Sequence, residues 1–198
     1  MTQTDHIHKN KGMIMPKASN IPNLLTGYRF AVILPLLLCL RPETTPRIGM
    51  VAFILFLSAA LTDLADGYLA RKFQAETVLG KLLDPLADKV LVTVALVMLI
   101  PMARVPAWLC FFILSREMII TGLRSVAAAS GTVISASQLG KYKSVAQLTA
   151  LSILIYPPEL SPFPHLHLIG SVVLYLALFL TVWSGIQYFH RFRKVYLR

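Results

Sequence analysis

The 198-residue chain is 56% hydrophobic and only 14% charged, with a formal net charge of +10. Soluble domains carry about 25% charged residues, so an ordinary soluble globule is excluded. Two cysteines, Cys39 and Cys110 in apolar runs, exclude a disulfide scaffold. The positive balance comes with no nucleic-acid-binding motif and points to anionic lipid and phosphate-bearing ligands.

Residues 1–18 are polar and basic and predict a disordered tail. They hold no short apolar core with a small-residue cleavage site, so no secretory signal is expected. Residues 19–198 read as one all-α membrane domain without a linker. Six apolar segments approach the roughly 20 residues that cross a bilayer as a helix, at 22–40, 47–70, 77–100, 107–127, 137–157 and 168–189.

In the first segment Ser19 or Asn20 is placed to cap a helix beginning at Pro22. Ile21, Leu24, Leu25 and Tyr28 then form an amphipathic stripe, with Asn23, Thr26 and Arg29 on other faces. This predicts an interfacial helix over 20–29, a bend near Gly27 or Pro35, and an apolar run over 30–40. Turn residues break the later segments at 41–46, 101–106 and 157–164. Basic residues crowd one set of ends, including Arg71, Lys72, Lys81, Lys141, Lys143, Arg191 and Arg193, whereas the other set has Arg41, Arg47 and Arg104. Both termini are therefore expected on the cytoplasmic side.

Four of the nine acidic residues, Asp63, Asp66, Asp84 and Asp88, fall on either side of one turn expected near 72–76. A carboxylate at membrane depth costs about 2.5–3.5 kcal/mol or more. Spacings of i, i+3 and i, i+4 put each pair on one helix face. Pairing across the turn then sets residue 63 beside 88 and 66 beside 84. Four crowded anions must take up protons or cations. All-oxygen donors suit Mg²⁺ or Mn²⁺, with Ca²⁺ less specific, and four carboxylates suffice for two ions about 3.5–4 Å apart. Gly67, Ala70 and Gly80 remove bulk nearby, for close helix packing or for a flat ligand. Arg71 is a candidate for phosphate pairing.

Asp63-x-x-Asp66-Gly67-x-x-Ala70-Arg71-x8-Gly80-x3-Asp84-x3-Asp88 resembles, without departure, the defining motif of the CDP-alcohol phosphatidyltransferases. Asn20–Thr26, Arg116–Arg124 and Leu139–Lys143 extend the resemblance over about residues 20–150, toward the branch that uses glycerol 3-phosphate. The resemblance implies a six-helix membrane fold, usually dimeric, with a polar cavity open to the cytosol of a bacterial cell. It implies Asp63, Asp66 and Asp84 as metal ligands and Asp88 as ligand, general base or both. Asp66, Gly67, Ala70, Arg71 and Gly80 map to the CDP-binding part. The implied reaction is attack by a hydroxyl of glycerol 3-phosphate on the β-phosphorus of CDP-diacylglycerol, with CMP leaving.

Glu117, Thr121 and Arg124 share a stripe on the fourth segment, with Arg116 one position off it. Arg116, Thr121, Arg124, Lys141 and Lys143 are candidates to hold the acceptor phosphate, Arg124 and Lys141 foremost. The alternatives are a snorkelling cation at a helix end and an Arg116–Glu117 pair. Lys141 and Lys143 lie about 200° apart on a regular helix, so both serve only if the helix starts there. The histidines fall in tails or a loop, where solvation explains them. Competing functions are transfer to another acceptor, phosphatidylglycerol or an inositol phosphate, and a cation carrier. The shared depth of the four aspartates speaks against a path across the bilayer.

Overall fold

The computed structural model describes the backbone of residues 21–73, 78–131 and 138–196, and the side chains of 25–62, 86–131 and 138–194. The expected tail, the cap at Ser19 or Asn20 and most of the turn near 72–76 lie outside the described residues. Among the described residues every regular element is helical: α1 (Ile21–Cys39), α2 (Pro46–Phe73), α3 (Val78–Leu99), α4 (Ala107–Ala129), α5 (Gln138–Ile155) and α6 (Leu166–Tyr196). A 3₁₀ turn, Pro158–Leu160, joins α5 to α6.

The boundaries follow local chemistry. Pro46 opens α2, where its missing N–H is not needed. Gly131, at φ +75°, ends α4 in the left-handed region, and its N–H donates to the Ala128 carbonyl at 3.0 Å. Arg104, in the loop before α4, donates to the carbonyls of Leu154 and Ile155 at 2.9 and 3.2 Å and so satisfies the end of α5. Burial pushes the Arg104 guanidinium below its usual pKa, and the Glu159 carboxylate opposes that shift.

The first segment differs from expectation. α1 runs as one helix through both the expected interfacial part and the apolar run. Its buried face is Thr26, Arg29, Val32 and Leu36, continued by Leu40 just past its end, whereas Tyr28 of the expected apolar stripe is exposed. Pro35 removes one backbone donor, and burial of Val32, Leu36 and Leu40 against the core keeps the helix continuous. The Tyr28 hydroxyl still finds Ser58 of α2 at 2.7 Å.

α1 packs on both α2 and α3, α4 packs on α6, and α5 lies between α6 and the α2–α3 side. The core joins Leu36, Phe56, Leu96, Ile113, Leu151 and Leu154. The outer surface is apolar as well, with Leu34, Phe111, Met118, Phe179 and Trp183 all exposed. α6 alone among the described helices is long and apolar enough to cross a membrane, over the 29 residues Leu166–Lys194. Leu25–Cys39 of α1 and Pro46–Thr62 of α2 are shorter apolar stretches among the described residues, and charge interrupts α4 at Arg116, Glu117 and Arg124 and α5 at Lys141 and Lys143.

α5 and α6 make the most extensive pairing and approach closely at Gly170. A Cβ there would stand 2.8 Å from Ile153 Cγ2 and 3.0 Å from Leu154 Cγ. Gly170→Ala is therefore expected to destabilise the protein by about 1–3 kcal/mol through overpacking. Thermal unfolding in detergent measures it, and an unchanged midpoint would show that the helices move apart freely.

Candidate active site

Asp63 and Asp66 lie on α2, and Asp84 and Asp88 lie on α3. The backbone is helical through both pairs, so each pair occupies one face of its helix. The surroundings of Asp63, Asp66, Gly67, Ala70, Arg71, Gly80 and Asp84 lie outside the described residues. Asp88 is described, and its Oδ1 accepts a charge-assisted bond from Nη1 of Arg29 on α1. Arg29 is 0% exposed, whereas the Asp88 side chain is 39% exposed. A buried guanidinium requires an anion, and α3 supplies it 59 positions along the chain.

A second group of charges joins three helices. Glu117 of α4 accepts bonds from Arg116 Nη1 at 2.9 Å and from Lys143 Nζ of α5. Arg116 Nη2 donates to Ser184 Oγ of α6 at 2.8 Å. Gly185 leaves room for this arginine, because a Cβ there would stand 3.3 Å from Arg116 Cγ and Nε. Buried Gln147 lies one turn beyond Lys143 on α5. Thr121 Oγ1 accepts a bond from Lys89 Nζ at 2.6 Å, tying α3 to α4, and donates to the Glu117 carbonyl at 2.7 Å. Arg124 stacks on the Tyr188 ring of α6, 5.9 Å from its centroid.

Arg116, Thr121 and Lys143 of the expected acceptor group thus meet around Glu117, which both cations engage. Lys143 is 5% exposed, and Lys141 is exposed. Because α5 begins at Gln138, both lysines lie in regular helix and point apart. Arg124 faces Tyr188. The sequence reading missed Arg29, Lys89, Gln147 and Ser184. For Arg29 a signal existed: a cation one turn after Thr26, inside an apolar helix, needs a partner. His167 and His190 lie in α6 rather than in a loop or tail, and His167 Nε2, in the first turn, is 2.8 Å from the Tyr156 carbonyl just past α5.

Among the described residues the molecule is a helix bundle with an apolar exterior and two part-buried charge groups between its helices, Arg29–Asp88 and Arg116–Glu117–Lys143. The sequence pattern of the CDP-alcohol phosphatidyltransferase family matches residues 19–183, and the chain belongs to that family. It is 42% identical over 186 residues to the CDP-diacylglycerol–glycerol-3-phosphate 3-phosphatidyltransferase of Bacillus subtilis (strain 168), covering 87% of this chain and 94% of the relative. It is 38% identical over 177 residues to the protein of the same name from Rickettsia bellii, covering 89% of this chain and 97% of that relative. It is 34% identical over 199 residues to a CMP-forming cardiolipin synthase of Oryza sativa, covering 92% of this chain and 60% of the relative.

Proposed function

We propose that the protein transfers a phosphatidyl group from CDP-diacylglycerol to sn-glycerol 3-phosphate, giving phosphatidylglycerophosphate and CMP in phospholipid biosynthesis. The observation that carries this is 38–42% identity to two such transferases over nearly their whole lengths. The complete aspartate motif supports it.

In this reading all six helices cross or enter the bacterial cytoplasmic membrane, with both termini and the site on the cytoplasmic side, and the enzyme is a homodimer. The apolar exterior supports contact with lipid. Asp63, Asp66 and Asp84 hold one or two Mg²⁺ or Mn²⁺ ions, with Asp88 beside them. All-oxygen donors paired on two helix faces fit such ions. A bound divalent ion supplies charge neutralisation at the pyrophosphate and at the departing CMP phosphate. The acceptor hydroxyl oxygen bonds to the β-phosphorus, the bond from that phosphorus to CMP breaks, and Asp88 takes the hydroxyl proton. Gly67, Ala70, Arg71 and Gly80 form the CDP side, and Arg124 and Lys141 meet the acceptor from the cytosol.

The test is CMP release by purified protein in the presence of CDP-diacylglycerol, a divalent ion and a panel of acceptors. Glycerol 3-phosphate is expected to support turnover, which chelator should stop. Preference for phosphatidylglycerol would move the protein to cardiolipin synthesis, the activity in the name of the Oryza relative. Full turnover in excess chelator, or equal turnover without acceptor, would remove the proposed reaction.

A further inference from the structure

We infer that Lys89 is a phosphate-binding and specificity-determining residue, the cation that seats the phosphate monoester of the acceptor beside Asp88. The inference rests on the transfer reaction proposed above and adds a residue that the sequence reading did not place in the site.

Charge balance carries it. Where α3, α4, α5 and α6 meet, the described side chains supply three cations, Lys89, Arg116 and Lys143, and one carboxylate, Glu117. Arg116 and Lys143 both bond that carboxylate. Asp88, the residue next to Lys89, is engaged by Arg29. Among the described residues the one bonding partner of Lys89 is the neutral hydroxyl of Thr121. Lys89 is also close enough to Lys143 for the two charges to repel. A hydroxyl orients an ammonium without neutralising it, and the Lys89–Thr121 bond is solvent-exposed, so an anion from solution can reach the ammonium. Among the described residues the group therefore carries two positive charges in excess. A phosphate monoester carries about −1.5 to −2 at neutral pH, which matches that excess. A phosphodiester headgroup carries one negative charge and does not.

Position agrees with charge. Lys89 and Asp88 are consecutive on α3, so the ammonium and the carboxylate proposed to take the acceptor's proton share one depth along the helix, about 100° apart around it. Thr121, bonded to both Lys89 and the Glu117 carbonyl, fixes the ammonium before the ligand arrives.

The experiment combines thermal unfolding and steady-state kinetics on the purified full chain in detergent. Glycerol 3-phosphate and inorganic phosphate are expected to raise the midpoint of the wild type, and glycerol is expected not to. In Lys89→Gln that shift should need about 10- to 100-fold more ligand, and the KM for glycerol 3-phosphate should rise by a similar factor. The KM for CDP-diacylglycerol should stay within about threefold, because only acceptor binding has changed. The ligand-free midpoint should be unchanged or higher, since an unbalanced charge has been removed. Lys89→Arg should keep most of the acceptor affinity.

Three results would overturn the assignment: no phosphate-induced shift in the wild type, equal KM effects on both substrates, or a Lys89→Gln protein that fails to fold while Lys89→Arg behaves normally. The last outcome would make the ammonium structural. If CMP release instead requires phosphatidylglycerol, the proposed reaction fails. The midpoint shift with glycerol 3-phosphate still decides the role of Lys89.

Discussion

Asp63→Asn, Asp66→Asn and Asp84→Asn are each expected to abolish CMP release while the protein remains folded in the membrane. Each substitution leaves the helical backbone of α2 or α3 undisturbed, because Asn and Asp have nearly the same shape and similar helix propensity. Each also removes one anion from a crowded set, which relieves repulsion. The loss falls on metal binding. An ion that neutralises transition-state charge contributes several kcal/mol, and about 4 kcal/mol corresponds to about 10³-fold in rate. Turnover should fall by at least that much, while the ligand-free unfolding midpoint stays level or rises. Near-normal turnover of any one variant at ordinary Mg²⁺ concentration would take the metal assignment away from that position.

Asp88→Asn is expected to behave differently, with two separate effects. Loss of a general base lowers turnover by about 10²- to 10⁴-fold. The substitution also removes the carboxylate bonded to Arg29, whose guanidinium is fully buried. Breaking a fully buried ion pair costs about 3–5 kcal/mol. Asp88 is partly exposed, so about 2 kcal/mol is expected here. Asp88→Asn should therefore lower the unfolding midpoint where Asp63→Asn does not. Titrating Mn²⁺ into both variants separates base from ligand. A smaller affinity loss in Asp88→Asn than in Asp63→Asn supports the base. Equal losses, with turnover restored by excess Mg²⁺, support a fourth ligand.

Helix placement was legible because proline and glycine mark the boundaries and the apolar runs are long. Residues 107–127 and 137–157 fall within two residues of α4 and α5 at each end. The aspartate spacing was equally legible, since i, i+3 and i, i+4 relations depend on one helix alone. What stayed hidden was how each helix is rotated against its neighbours. Arg29 lies near the start of α1 and read as an interfacial cation, yet it is buried against α3. Lys141 read as the stronger acceptor candidate of the two α5 lysines, and packing buries Lys143 against Glu117 while leaving Lys141 exposed. Glu117 read as one member of a stripe, but its ligands come from α4 and α5, a relation that exists only after packing. The rotation of α1 stayed hidden for the same reason: where lipid and core are both apolar, periodicity does not tell inside from outside.

Asp88 and Lys89 leave the axis of α3 about 100° apart, one toward Arg29 of α1 and the other toward Thr121 of α4. α3 therefore works as an axle with two spokes. Any torsion of this helix swings both side chains together, withdrawing one from α1 as it moves the other past α4. Ala87 and Leu91, buried on either side of the two residues, fix the rotation of the helix about its axis. A bulkier side chain at Ala87 would disturb the Arg29–Asp88 and Lys89–Thr121 contacts in a single motion, although it takes part in neither.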